Sequence, residues 1–195
     1  METSLNLPQK RQRLPWREYL AVCVSHYKCH WKSYTVPVVV LIAMTQFIRV
    51  DVNYTHSLPD HVFITVKGWK SGLGPGDYVA YKFPTENPAS PFRKGDHMVK
   101  LVLGTPGDEV KVDSERNVSI HRGGDRFAPF LGASQVGKAK PVSNAGKTLE
   151  AIAPGIVPES RFFVFAPHPD SLDSRYAMVG FISEDDIIGR TFPIF

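Results

Sequence analysis

One apolar run governs what this chain can fold into. It reads Tyr-Thr-Val-Pro-Val-Val-Val-Leu-Ile-Ala-Met-Thr-Gln-Phe-Ile from Tyr34 to Ile48, fifteen residues in a chain of 195. Basic side chains dominate what precedes it. Residues 1–34 hold six Lys or Arg against two Asp or Glu, so the net +4 of the chain belongs to this tail and the remainder is neutral. Fifteen residues fall short of the roughly 20 that a helix needs to cross a bilayer. Snorkelling of Lys32 and Arg49 extends the reach at either end. A buried strand or core helix is one competing reading, and the apolar core of a cleaved signal peptide is another. A leader of this length is long, however, and no clear small-x-small site follows. The reading adopted is a retained transmembrane anchor at 34–50. The positive-inside rule then places the tail, 1–33, in the cytoplasm and a body, 51–195, on the periplasmic side of a bacterial inner membrane.

Within the tail, Trp16, Leu20, Cys23, Tyr27 and Trp31 recur at helical spacing and predict an amphipathic helix, with Pro15 suited to its first turn. The set Cys23, His26, Cys29 and His30 has the elements of a metal site, but helical spacing accounts for both cysteines more simply. They are the only two cysteines, so the body holds no disulfide, and in a cytoplasmic tail they stay reduced. A charge-neutral body does not suit a DNA-binding surface, which needs several basic side chains on one face. No nucleic-acid partner is expected.

The body reads as mainly β. Short β-rich runs occur at Val62–Val66, Tyr78–Tyr81, Met98–Leu103, Glu109–Val112, Arg161–Phe165 and Ala177–Ile182. Pro75-Gly76-Asp77 and Pro106-Gly107-Asp108 punctuate them as turns. Residues 83–97 and 123–148 read as loops, and no helix is expected after residue 50 beyond a turn near Glu184-Asp185-Asp186.

Three separated stretches fit one chemistry. Ser57 follows the apolar run closely and offers a hydroxyl that becomes a nucleophile only when a base takes its proton. Lys100 interrupts an apolar strand and shares a face with Met98 and Val102. If that face is buried, desolvation disfavours the ammonium. Reaching a pKa near 7 from about 10.4 costs about 4 kcal/mol. The plainer alternative is an edge-strand lysine standing in water. Ser171, Asp173 and Arg175 alternate, and on an extended segment they share one face. Ser171 is then placed to orient a neutral lysine, and Asp173 and Arg175 to form a charge-assisted pair. The plainer alternative for that pair is a surface contact of little worth. Thr55 is a candidate oxyanion donor beside the Ser57 N–H. This chemistry calls for no cofactor and no metal.

The ordered motifs Ser57-x-Pro59, Lys100-x-x-x-Gly104-x-Pro106-Gly107-Asp108 and Ser171-x-Asp173-Ser174-Arg175-Tyr176 resemble those of the bacterial signal peptidase I family. Gly180, Phe181 and Ile187-Ile188-Gly189-Arg190 extend the match. The resemblance implies a signal-peptidase/LexA-like β fold preceded by a cytoplasmic helix and a single transmembrane helix. It implies Ser57 as nucleophile, Lys100 as general base and Asp173 as an essential support. Ser171 and Arg175 carry over as orienting and structural residues, and Thr55 as an oxyanion-hole hydroxyl. Three departures are informative. Pro59 comes one residue sooner than in housekeeping members, Ala166-Pro167-His168-Pro169-Asp170 replaces their Gly-Asp-Asn, and Leu101 replaces their arginine. The Asn53-x-x-x-Ser57-Leu58-Pro59 form and the Pro-His-Pro lead-in are similar to the TraF-type conjugative-transfer branch, whose members mature a pilin and in some cases join its ends. The expected partners are therefore a precursor protein, a pilin or a signal-peptide-bearing preprotein, and the inner membrane. Water and a substrate amine stay open as the second nucleophile.

Two other classes compete. A self-cleaving repressor of the LexA type needs a small-residue-Gly cleavage site upstream of the serine, but the first Ala-Gly is Ala145-Gly146. A non-catalytic β-rich subunit of a secretion or conjugation apparatus has no use for a lysine in an apolar strand.

Overall fold

The structure, a computed structural model, describes residues 15–54, 57–88, 90–123 and 134–194. The chain divides into two compact units, Met1–Thr45 and Gln46–Phe195. The first is built on helix α1, Trp16–Phe47. Its geometry breaks at His30 (φ −118°, ψ 19°), it contains Pro37, and none of its residues is buried. Trp16, Leu20, Tyr27 and Trp31, the expected apolar stripe, all stand exposed, as do Val36 and the run from Val38 to Ile42. The tail helix and the apolar run, expected as separate segments, follow one another as two helical stretches joined across this kink. Among the described residues, no helix is long and apolar enough to cross a membrane. Ile48, Arg49 and Val50 belong not to the helix but to the first strand, because each finds a ladder partner on the next strand.

Among the described residues, eleven strands build the second unit: β1 Ile48–Val52, β2 Val62–Lys67, β3 Tyr78–Lys82, β4 His97–Gly104, β5 Glu109–Val112, β6 Asn117–His121, β7 Ser134–Lys138, β8 Gly155–Ile156, β9 Arg161–Phe165, β10 Ile182–Ser183 and β11 Ile187–Pro193. A seven-stranded sheet runs β1-β2-β11-β3-β4-β9-β10, and a four-stranded sheet runs β7-β6-β5-β8. Every recorded pairing is antiparallel. The expectation of a mainly β body holds, with β7 falling inside a stretch read as loop. Ala177–Ile182 is the other difference. Ala177 to Val179 form turns, the Val179 and Gly180 N–H groups donating to the Tyr176 carbonyl, and only Ile182 continues into a strand. Val179 and Ile182 are buried here, Val179 from a turn rather than from an alternating strand, while Ala177 stays exposed.

The two Pro-Gly-Asp turns form as their chemistry requires. Gly76 (φ 96°) and Gly107 (φ 90°) take the left-handed backbone, and each aspartate caps its own turn. Asp77 Oδ2 accepts from Gly74 N–H, and Asp108 Oδ2 from Thr105 N–H, both at 2.8 Å. The first turn leads into β3, which pairs with β4, and the second carries the chain from β4, inside the large sheet, to β5 in the small one. On one side of β4, Val79, Tyr81, Met98, Val102, Val164 and Ile187 close one apolar core. A second core gathers Val110, Ile120, Leu149, Ile152, Val157 and Phe163 between the sheets. A third and smaller one joins Leu58, Phe63 and Ala166.

Candidate active site

Lys100 lies on β4, whose side chains alternate between buried and half-buried faces. It shares the buried face with Met98 and Val102, as alternation predicts, and is 2% exposed. The edge-strand alternative therefore fails, since β3 pairs with β4 across Lys100 and β9 pairs with it from Leu101 onward. Desolvation pulls the Lys100 pKa down to about 8, helped by Arg175 and opposed by Asp173. About a tenth of the amine is then neutral at pH 7.

Ser57 reaches this amine from a loop after β1. Leu58, buried against Phe63 and Ala166, anchors the loop from below. Asn53 ties it from the side, donating from Nδ2 to the Leu58 and Asp60 carbonyls, both at 3.3 Å. Asn53 N–H also donates to His61 O at 2.8 Å and closes the loop. Lys100 Nζ lies 2.9 Å from Ser57 Oγ and 2.8 Å from Ser171 Oγ, donating to both as an ammonium. When it is neutral, its lone pair accepts the Ser57 proton while Ser171 holds the nitrogen in place. Ser57 and Ser171 are themselves buried.

The third stretch arrives by a different route from the one expected. Asp173 to Arg175 form a bend and turn, not an extended segment, so alternation is not what gathers them. The turn itself does so, with Tyr176 N–H donating to the Asp173 carbonyl at 3.1 Å. Asp173 and Arg175 are both buried, which removes the surface-pair alternative. Arg175 grips Asp173 through Nε at 2.8 Å and Nη2 at 2.9 Å. The same Nη2 donates to the Ser171 carbonyl at 3.2 Å. Asp173 Oδ2 accepts from Ala166 N–H at 3.2 Å. The pair thereby fixes the backbone on both sides of Ser171 and, through it, the lysine. The rings of Phe165 and Tyr176 cover the guanidinium, 5.1 and 5.9 Å from its carbon.

Five of the six expected site residues thus meet at one place, namely Ser57, Lys100, Ser171, Asp173 and Arg175. Thr55 lies outside the described residues. Sequence reasoning missed Asn53 as a support, and also Ser174, whose Oγ accepts from Val164 N–H at 3.0 Å and pins the turn to β9. The Asn53-x-x-x-Ser57 spacing is the signal that singles out Asn53. Two clefts meet at Ser57 and Lys100. One, of about 470 Å³, runs past Lys140, Asn144, Lys147, His168 and Asp170. The other, of about 720 Å³, runs between β1 and the start of β4 past Arg49, Asp51 and His97.

A desolvated amine touching a hydroxyl where two clefts meet is what nucleophilic serine chemistry requires, and the body around it is a β-sheet domain. The profile of the family described as signal peptidase, peptidase S26 matches residues 29–195, and the chain belongs to that family. Over 128 residues it is 29% identical to Signal peptidase I U of Bacillus subtilis (strain 168), covering 65% of this chain and 60% of that protein. The chain thus spans less than two thirds of the length of the curated relative it matches. A crystal structure of a signal peptidase I from Enterococcus faecalis V583 is similar at 21% identity and a TM-score of 0.34, over 60% of this chain and 94% of the other.

Proposed function

We propose that this protein is a membrane-attached serine endopeptidase of Ser-Lys type that cleaves an exported precursor at the periplasmic face of the inner membrane. The observation that carries the reading is the buried Lys100 amine 2.9 Å from Ser57 Oγ. Neutral Lys100 takes the Ser57 proton as Oγ attacks the scissile carbonyl. The oxyanion that forms rests on the Ser57 N–H and, following the family pattern, on the Thr55 hydroxyl. Lys100 then gives the proton to the leaving amine, and an ester to Ser57 remains. Water releases the product as an acid; attack by the precursor's own N-terminal amine releases it as a ring instead. Asp173, Arg175 and Ser171 hold Lys100 in register and take no part in bond exchange.

The substrate proposed is a conjugative pilin precursor. Asn53-x-x-x-Ser57-Leu58-Pro59 and Pro167-His168-Pro169 support that choice. A second reading, removal of signal peptides from exported preproteins in general, is favoured by the name of the Bacillus relative. Exposed apolar residues of α1 support membrane attachment. Enzyme and precursor confined to one membrane meet at a raised effective concentration, so weak recognition suffices. In cells carrying a candidate pilin precursor and a signal-peptide-bearing preprotein, Ser57→Ala or Lys100→Ala is expected to leave one of the two at precursor mass. Maturation of both at wild-type rate, read by mass spectrometry, would end the proposal. Accumulation of the preprotein rather than the pilin would select the second reading.

A further inference from the structure

The cleft between β1 and β4 has an unusual lining for a site that reads a peptide. β1 ends the large sheet, so one of its backbone edges has no strand partner among the described residues. On β4, β9 pairs only from Leu101 onward, which leaves the segment from His97 to Lys100 open on that side. An extended peptide fits between two such edges and hydrogen-bonds to them, its side chains alternating between faces. On the inward face of β1 the residues are Arg49 and Asp51. Their ladder partners, Thr65 and Phe63, are wholly buried, so this face turns toward the interior rather than toward solvent.

Arg49 is held in a fixed pose. Its Nε donates to Asp51 Oδ1 at 2.6 Å, and Asp51 Oδ2 accepts from Thr65 Oγ1 at 2.6 Å. Thr65 in turn meets Thr191 at 3.0 Å. Asp51 is therefore fully committed, while the two terminal nitrogens of Arg49 have no protein partner among the described residues and its side chain remains 36% exposed. His97 faces the same space and feels the charges of both Arg49 and Asp51. The other acid of the cleft, Asp96, has its Oδ2 engaged by Arg93 N–H at 2.8 Å. The cleft thus presents an oriented, unspent guanidinium fork, the group best matched to a carboxylate.

Resting on the peptidase reading above, we infer that Arg49 is a specificity-determining residue that selects precursors bearing an aspartate or glutamate a few residues from the scissile bond. Arg49 lies four strand positions before Asn53, about 13 Å at the rise of an extended chain. That spacing places the acid about three to five residues from the acylated carbonyl.

Peptide thioesters ending in alanine at the acyl carbonyl provide the test. Glu, Gln or Lys is walked through the second to sixth positions of an otherwise all-alanine chain, and thiol release by the full-length protein is followed. Ser57 Oγ forms the ester bond, and the thiol departs with the proton. At one position, kcat/KM is expected to be about tenfold higher for Glu than for Gln, and lower still for Lys. Arg49→Gln should bring the Glu-to-Gln ratio to one, and Arg49→Lys should retain part of it. Because the ratio is taken within one protein, a loss of folded enzyme cancels. Equal rates for Glu and Gln at every position, or a preference that survives in Arg49→Gln, would overturn the assignment alone. Failure to release thiol from the all-alanine ester in a manner lost in Ser57→Ala would overturn the peptidase reading itself, and the assignment with it.

Discussion

A buried lysine destabilises the fold that holds it. With its pKa drawn from 10.5 down to about 8, the charged form is about 3 kcal/mol worse off in the folded chain than in the unfolded one. The unfolded chain binds the extra proton between pH 8 and 10.5, so stability rises with pH across that window, and the full penalty applies below it. Lys100→Met should therefore stabilise the protein by about 1–2 kcal/mol at pH 7, after roughly 1 kcal/mol is lost for each hydroxyl left without its partner. Urea denaturation at pH 7 and pH 10 checks this, and at the higher pH, where most of the lysine penalty is gone, the gain should turn into a small loss. The same depressed value fixes the activity profile. Acylation of Ser57 by a serine-reactive probe should rise about tenfold per pH unit below pH 8 and level off above it, whereas a flat profile from pH 6 to 8.5 would exclude Lys100 as the base. Lys100 itself was legible in the sequence because a charge amid alternating apolar residues needs a reason. Asp173 and Arg175 were legible by motif but not by geometry, since a local turn, and not strand alternation, brings them inward. Asn53 was legible only through its spacing from Ser57, whose Oγ donates to Asn53 Oδ1 at 3.5 Å, because the backbone carbonyls its amide also holds carry no side-chain signature.

At the scale of elements, strands with their own alternating apolar residues could be read directly, and β2, β3, β4, β5 and β9 fall where expected. Strands defined by their partners could not. β1 reads as the end of an apolar run until β2 pairs with it. β11 contains Gly189 and ends at Pro193, both poor strand formers, yet it lies between β2 and β3. Gly189 has a tertiary reason to be there: a Cβ at that position would lie 1.9 Å from the Val66 carbonyl oxygen. Gly104, at the end of β4, matters more for the site. A Cβ there would meet Phe163 Cβ at 2.9 Å, so β9 must shift away from the strand that carries Lys100. Because β9 also anchors the Asp173 turn through Ser174, the shift should reach the amine. Gly104→Ala is expected to cost about 1–3 kcal/mol in urea denaturation, the usual penalty for overpacking, and to slow acylation of Ser57. Slower acylation at unchanged stability would instead place the effect outside β4–β9 packing.

For the whole molecule, the two units obey opposite rules. The body gathers its buried apolar side chains in three clusters, and its stability comes from that burial. In α1, by contrast, Val36, Val38, Val39, Val40, Leu41 and Ile42 stand exposed in a helix that buries none of its residues. An exposed apolar patch of this kind marks a surface that another phase or partner covers. The basic residues that precede it suit an anionic membrane surface. The full-length chain is therefore expected to sediment with membranes and to resist extraction by salt. Placing Lys at both Val39 and Leu41 sets two ammonium groups in the apolar stretch and removes two apolar side chains, each worth about 1.5–3 kcal/mol when taken out of water. That double variant should move to the soluble fraction, while its Ser57 still reacts with the acylating probe because the site lies wholly within the body. Recovery of the wild-type chain in the soluble fraction would remove membrane attachment from the proposed function and leave the Ser57–Lys100 chemistry standing.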